Sequence, residues 1–234
     1  MKKKIGQKIK KNDPQIRLIS WFVIAFSLFL IIATMAVKLL GEVRKQREWG
    51  FDHGLTQALG NFSEPLLNAT VPVTTGLGSV IGVFVLMVLA CSLFLYRRDL
   101  HRTLTVLLSV VGAIVIHAVF RAIFERDQPG VFELIVAENG FSFPSGHALL
   151  AAAFASAVVI AFRDSRWRRW GVIAAAAYVL YVGFTRLYLD ANYFSDLVVG
   201  WTIGTVWAVV VWRLLESSFG RKAVPRVLKA RKKQ

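Results

Sequence analysis

Six long runs without a charged residue dominate this chain and leave little choice of fold. They are Leu18–Val37, Thr75–Tyr96, Thr103–Phe120, His147–Phe162, Gly171–Phe184 and Leu197–Trp212. A helix needs roughly 20 apolar residues to cross the hydrocarbon core of a bilayer. The fourth run reaches that length when extended through Phe143 and Pro144, and the fifth when Thr185–Leu189 are added. Soluble helices keep a polar face, and these runs have none. Composition agrees: 56% of residues are hydrophobic and 18% charged, against about 25% charged in soluble domains. A disordered chain is excluded, because it needs few apolar residues and many charges. The first run is too long for a signal peptide and lacks a small-residue cleavage site. The fold class is therefore all-α: an integral membrane protein with six transmembrane helices. The single Cys91 excludes a disulfide framework and a multi-cysteine metal site. It lies within the second run and reads as a packing residue.

Six spans place both termini on one side, and the charges say which. Of the 29 basic residues, 22 fall on the side of the termini, against four acidic residues there, a net +18. The opposite side holds the other 7 basic residues and 10 acidic ones, a net −3. Basic residues collect on the cytoplasmic side of membrane proteins, so the N- and C-termini are expected in the cytoplasm, in a multi-pass protein of the cell membrane. The same segregation explains the overall charge of +15 without nucleic acid. Residues 1–17 form a basic cytoplasmic segment, 18–215 the membrane domain and 216–234 a basic tail. These basic ends are suited to topology and to contact with anionic membrane lipids.

The first outer loop, Gly41–Pro72, mixes Trp49, Phe51, Leu55, Leu59, Phe62 and Leu66 with charges, a pattern suited to short helices lying on the membrane surface. Asn61 and Asn68 each begin a glycosylation sequon. Trp21, Trp201 and Trp212, near span ends, read as interfacial anchors. No internal repeat is seen.

Three polar clusters border the spans on the predicted outer side. They are Arg121–Pro129 at the exit of span three, Phe143–His147 at the entry to span four, and Thr185–Asp196 between spans five and six. Each alone has an ordinary structural explanation: Arg121 or Arg126 as an anchor, Ser145 as a helix cap, Arg186 and Asp196 as an ion pair. Three clusters at one membrane depth argue instead for a shared site. The chemistry suits an anion. Arg121 and Arg186 offer planar forks that match phosphate. The backbone near Ser145 and Gly146 opens a helix, whose N-terminus attracts anions. Gly146 permits close backbone approach, and His147 sits where it can give a proton to a departing oxygen.

These residues resemble the type-2 phosphatidic acid phosphatase superfamily, integral-membrane lipid phosphatases related to vanadium haloperoxidases. The resemblance covers about residues 75–215. Pro144-Ser145-Gly146-His147 matches the second family motif whole, and Arg186 with Asp196 keeps the spacing of the third. It implies six spans, an outward-facing site, metal-independent chemistry without cofactor, and a phosphorylated lipid headgroup as ligand. It also implies phosphate binding by Arg121, Arg126, Gln128, Ser145, Gly146 and Arg186. His147 would protonate the leaving group, and Asp196 would hold the nucleophilic side chain in place.

The chain departs from the motifs at four positions. Arg121 stands for a lysine, Gln128 for an arginine, Thr185 for a serine and Asn192 for the nucleophilic histidine. Arg126 is the candidate to replace the fork lost at Gln128. An asparagine amide has no basic lone pair and cannot form the covalent intermediate, so Asn192 marks a catalytic position expected to be inactive. Other candidate attackers are His53 in the outer loop, His101 on the cytoplasmic side, His117 facing the bundle or lipid, and Asp190. Three roles follow. One is a catalytically impaired relative that binds a phospholipid or polyprenyl phosphate for transport or regulation. Another is an active phosphatase on phosphatidate, phosphatidylglycerol phosphate or undecaprenyl pyrophosphate, using a rearranged site. The third is a structural subunit without ligand. No residue points to a protein partner.

Overall fold

The computed structural model describes Asp52, Gly54 and residues 64–129 and 141–217. The apolar run Leu18–Val37, both basic ends, Trp21, His53, Asn61 and most of the outer loop lie outside the described residues. Among the described residues the fold is all-α.

Helix α1, Pro65–Thr74, begins with proline at its first turn, where the missing N–H costs nothing. It runs into a 3₁₀ turn, Thr75–Gly78, and the chain then breaks at Ser79. Helix α2, Val80–Tyr96, restarts at once, because Ser79 Oγ accepts from the Gly82 amide at 3.1 Å. The two halves meet at 57°. A three-residue turn, with Arg98 at φ 57°, leads to α3, Leu100–Ile123. Asp99 caps it, accepting from the Arg102 amide at 3.0 Å. Helices α4 (Gly146–Ala161), α5 (Arg168–Tyr188) and α6 (Phe194–Glu216) follow.

Five of the six apolar runs are thus helical. Helices α3, α5 and α6 are each long and apolar enough to span a bilayer, and α1 with α2 adds a bent fourth candidate. Helix α4 is shorter, at 16 residues. It is the hub of the bundle, packing on α2, α3, α5 and α6. Its buried residues Ala148, Ala151, Ala152, Ala153, Ala155 and Ala157 present almost no side-chain bulk. Helix α6 exploits that with Gly200 and Gly204. A Cβ on Gly200 would lie 2.8 Å from the Ser145 carbonyl oxygen, and one on Gly204 would run into the Leu149 carbonyl. Small residues four apart let two helix backbones approach closely in lipid. The core extends from this seam through Leu149 and Leu150 to Val83, Met87, Val106 and Val110.

The outer faces are apolar as well. Ile81, Leu89, Val115, Val119, Leu180 and Leu214 are all exposed, as residues that meet lipid are. Polar contacts gather at the helix ends. Where α4 ends, Arg163 pairs with Glu216 and with Asp164 at 3.3 Å, and lies over the Trp212 ring at 4.9 Å. The Glu216 hydrogen bond pushes the Arg163 guanidinium further up in pKa. Trp201 instead packs inward, its ring filling the space beside Gly183.

Candidate functional site

At the other end of the bundle, the starts of α2, α4 and α6 meet the ends of α3 and α5. Ser145 opens α4 in the way its position predicts: its Oγ accepts from the Ala148 amide at 3.4 Å. The amides of Gly146 and His147 find no acceptor within their own helix, so the first turn of α4 presents N–H groups at this end. Arg186 is placed by how α5 stops. The Ala191 amide bonds back to the Arg186 carbonyl at 3.0 Å, and the Asp190 amide to Leu187 at 3.1 Å. Asp190 takes the left-handed φ of 53° that this ending requires. Aspartate tolerates that conformation better than most residues.

A cavity of about 330 Å³ lies here. Arg121, Gln128, Gly146, His147, Arg186 and Asn192 line it, together with His117 and Ser142. All three sequence clusters therefore converge on one space. Arg186 is buried at 2% exposure, whereas Arg121 is exposed. One guanidinium forms the wall and the other stands in the open. Among the described residues no carboxylate lines the cavity, and the two guanidinium groups there favour an anion.

Asn192 is held on three sides. Its Oδ1 accepts from Ser145 Oγ and from Arg186 Nε, each at 3.0 Å, and its Nδ2 donates to the Ser142 carbonyl at 2.7 Å. The amide thus fastens the α5–α6 turn to the start of α4.

Arg126 and Asp196 belong to a separate, adjoining cluster, and neither lines the cavity. Arg126 Nη1 donates to Asp196 Oδ1 at 2.6 Å and to Ser195 Oγ at 2.9 Å. Its Nη2 reaches Asp52 Oδ2 at 3.3 Å, and its guanidinium lies 4.0 Å from the Tyr193 ring centre. Asp196 also accepts from the Tyr193 amide at 2.9 Å, closing a capping box at the start of α6. Thus Arg126 turns to the two aspartates instead of lining the cavity with Gln128, and Asp196 bonds to Arg126 and to the start of α6. The ion pair suggested for Arg186 and Asp196 is replaced by these two separate arrangements. Thr185 lies deeper, 3.1 Å from the Thr75 hydroxyl.

One residue of the adjoining cluster escapes a reading of the sequence. Asp52 accepts from the Ser195 amide at 2.9 Å and from its hydroxyl at 2.6 Å, contacts 143 residues apart that no local pattern announces. His117 lines the cavity. It is one of the candidate attackers named from the sequence, and it precedes Arg121 by four residues, a spacing that puts both on one helix face. Asp190 does not line the cavity. The Asn68 side chain is bonded to the Tyr188 hydroxyl. Among the described residues, no three His, Cys, Asp or Glu side chains are grouped to hold a metal ion.

The chain is similar to known membrane phosphatases over most of its length. The model of the PAP2 superfamily matches residues 102–219. The chain is 26% identical to phosphatidylglycerophosphatase B of Bacillus subtilis, over 76% of this chain and 88% of that protein. It is 25% identical to an undecaprenyl-diphosphatase of Sulfolobus acidocaldarius, over 90% of this chain and 98% of that one. The crystal structure of a transmembrane PAP2-type phosphatidylglycerolphosphate phosphatase from Bacillus subtilis superposes with a TM-score of 0.65 at 25% identity, covering 87% of this chain and 97% of that one. The fold is also similar to that of Aquifex aeolicus LpxE, with a TM-score of 0.60 at 20% identity, over 71% of this chain and 97% of that one.

Proposed function

Because the chain belongs to the PAP2 superfamily and is a lipid-phosphatase-like membrane protein, we propose that it binds the phosphate of a phosphorylated lipid headgroup in this cavity, with hydrolysis impaired at residue 192. The lipid is a phospholipid or polyprenyl phosphate, and the protein serves its transport or its regulation. It sits in the cell membrane as a multi-pass protein, with cytoplasmic termini and an outward-facing cavity.

One observation carries the reading. Asn192, at the nucleophile position, is tied by its amide to Ser145, Arg186 and Ser142 while the anion-binding groups around it are kept. Arg186 and Arg121 supply charge, Gln128 a neutral donor, and the first turn of α4 its amides. His147 follows Gly146 directly and is the proton donor to a leaving oxygen. An amide so engaged has neither the basicity nor the freedom to attack phosphorus. Arg126 and Asp196 support the site from behind by fixing the start of α6.

The test is retention of phosphatidate against diacylglycerol by the full chain in lipid nanodiscs. Phosphatidate is expected to be retained preferentially, and Arg186→Gln to weaken it by about tenfold or more, the loss of a charge-assisted hydrogen bond. Equal retention of both lipids would overturn the proposal. Hydrolysis by a rearranged site is the second reading, favoured by the imidazole of His117 on the cavity wall.

A further inference from the structure

The cavity holds two imidazoles, and they flank the same helical turn. Gly146 opens α4, and a Cβ there would lie 2.6 Å from His117 Nε2 and 2.7 Å from His117 Cε1. The His117 ring thus occupies the space that a side chain at residue 146 would fill, with its Nε2 edge toward the start of α4. The ring of His147 is seated against a glycine in turn. A Cβ on Gly78, in the 3₁₀ turn, would lie 3.2 Å from His147 Cδ2. Both histidines line the cavity with Arg121 and Arg186. A phosphate drawn to the first amides of α4 therefore meets an imidazole from α3 as well as the one from α4. Neutral imidazole is a competent nucleophile toward phosphorus, and an asparagine amide is not.

We propose that His117 is the nucleophile this cavity retains, so that the protein hydrolyses phosphorylated lipids slowly through His117 and His147 in place of residue 192. The inference rests on the headgroup-binding reading above. In the first step Nε2 of His117 forms a bond to phosphorus, and the bond from phosphorus to the lipid oxygen breaks. The electron pair leaves with that oxygen, which takes a proton from His147. In the second step water attacks the phosphorus, His147 takes the water's proton, and the nitrogen–phosphorus bond breaks. The net reaction consumes one water and yields the lipid alcohol and inorganic phosphate. Arg121 and Arg186 hold the phosphate oxygens in both steps.

The experiment uses the full chain in nanodiscs with phosphatidate radiolabelled in its phosphate. Lipid retention, phosphate release and acid-labile label on rapidly quenched protein are read in parallel. The expected result is retention, slow release, and label mapped to His117 by mass spectrometry. His117→Gln is expected to lower release by about a hundredfold or more, as loss of a nucleophile does. Should His117→Gln fail to fold, the position of the label on the native protein decides. Label on another residue, release with no protein-bound label, or unchanged release in a folded His117→Gln protein would overturn the inference. Retention with neither release nor label would overturn it and leave the headgroup-binding reading standing. Failure to retain phosphatidate would overturn both.

Discussion

Asn192 and Arg126 show how single side chains set the character of this site. The amide of Asn192 accepts from two donors and gives one hydrogen bond, which suits a binding wall more than a reactive group. Arg126 bridges two buried carboxylates at once, Asp196 at 0% exposure and Asp52 at 1%. Removing one member of a buried ion pair leaves an uncompensated charge and costs about 3–5 kcal/mol. Arg126→Met is therefore expected to lower the thermal unfolding midpoint in detergent sharply. An unchanged midpoint would show that Asp52 and Asp196 do not depend on it. The anion cluster around Ser145, Gly146 and His147 was legible in the sequence because it is contiguous and follows the rules of helix capping. The partners of Arg126 were not. Asp52 lies 74 residues away in a stretch of sequence with several other acids, and no spacing rule singles it out.

At the scale of elements, α4 and α6 form the seam on which the cavity is built. Gly204 has no room for a side chain, since its Cβ would meet the Leu149 carbonyl and, at 2.9 Å, the Ala153 amide nitrogen. Backbone cannot step aside as a side-chain tip can, and overpacking of this kind costs about 1–3 kcal/mol. Gly204→Ala is expected to lower resistance to denaturation by detergent. Gly171→Ala on α5, where nothing lies within 4 Å, is expected to leave it unchanged or slightly improved, because alanine favours helix over glycine. Equal loss in both variants would contradict the close seam. The apolar runs gave away the existence of the helices but not their faces. A run such as α2 is apolar on every side, so its inward stripe of Val83, Met87 and Phe94 has no polar counterpart to define it. The same lack of contrast left His117 undecided between bundle and lipid, and hid the break at Ser79 within an uninterrupted apolar run.

For the whole molecule, α3 separates the turn at Arg98 from the segment at Asp127, and the proposed topology puts the two on opposite sides of the membrane. In a Cys91→Ser background, a membrane-impermeant maleimide is expected to label Asp127→Cys in intact cells, and Arg98→Cys only after permeabilisation. The opposite pattern would invert the topology and put the cavity on the cytoplasmic side. The central claim concerns what residue 192 does to the chemistry of the cavity. A histidine there would keep an acceptor within reach, because the Ser142 carbonyl that now takes the Asn192 amide can take an imidazole N–H. Its other ring nitrogen would then be available to attack. The most direct test is phosphate release from phosphatidate by the native protein and by Asn192→His, side by side in nanodiscs. The account predicts release by Asn192→His at least about a hundredfold faster than by the native protein, within the range that a catalytic nucleophile contributes. A native protein that releases phosphate as fast as Asn192→His, or faster, would contradict it.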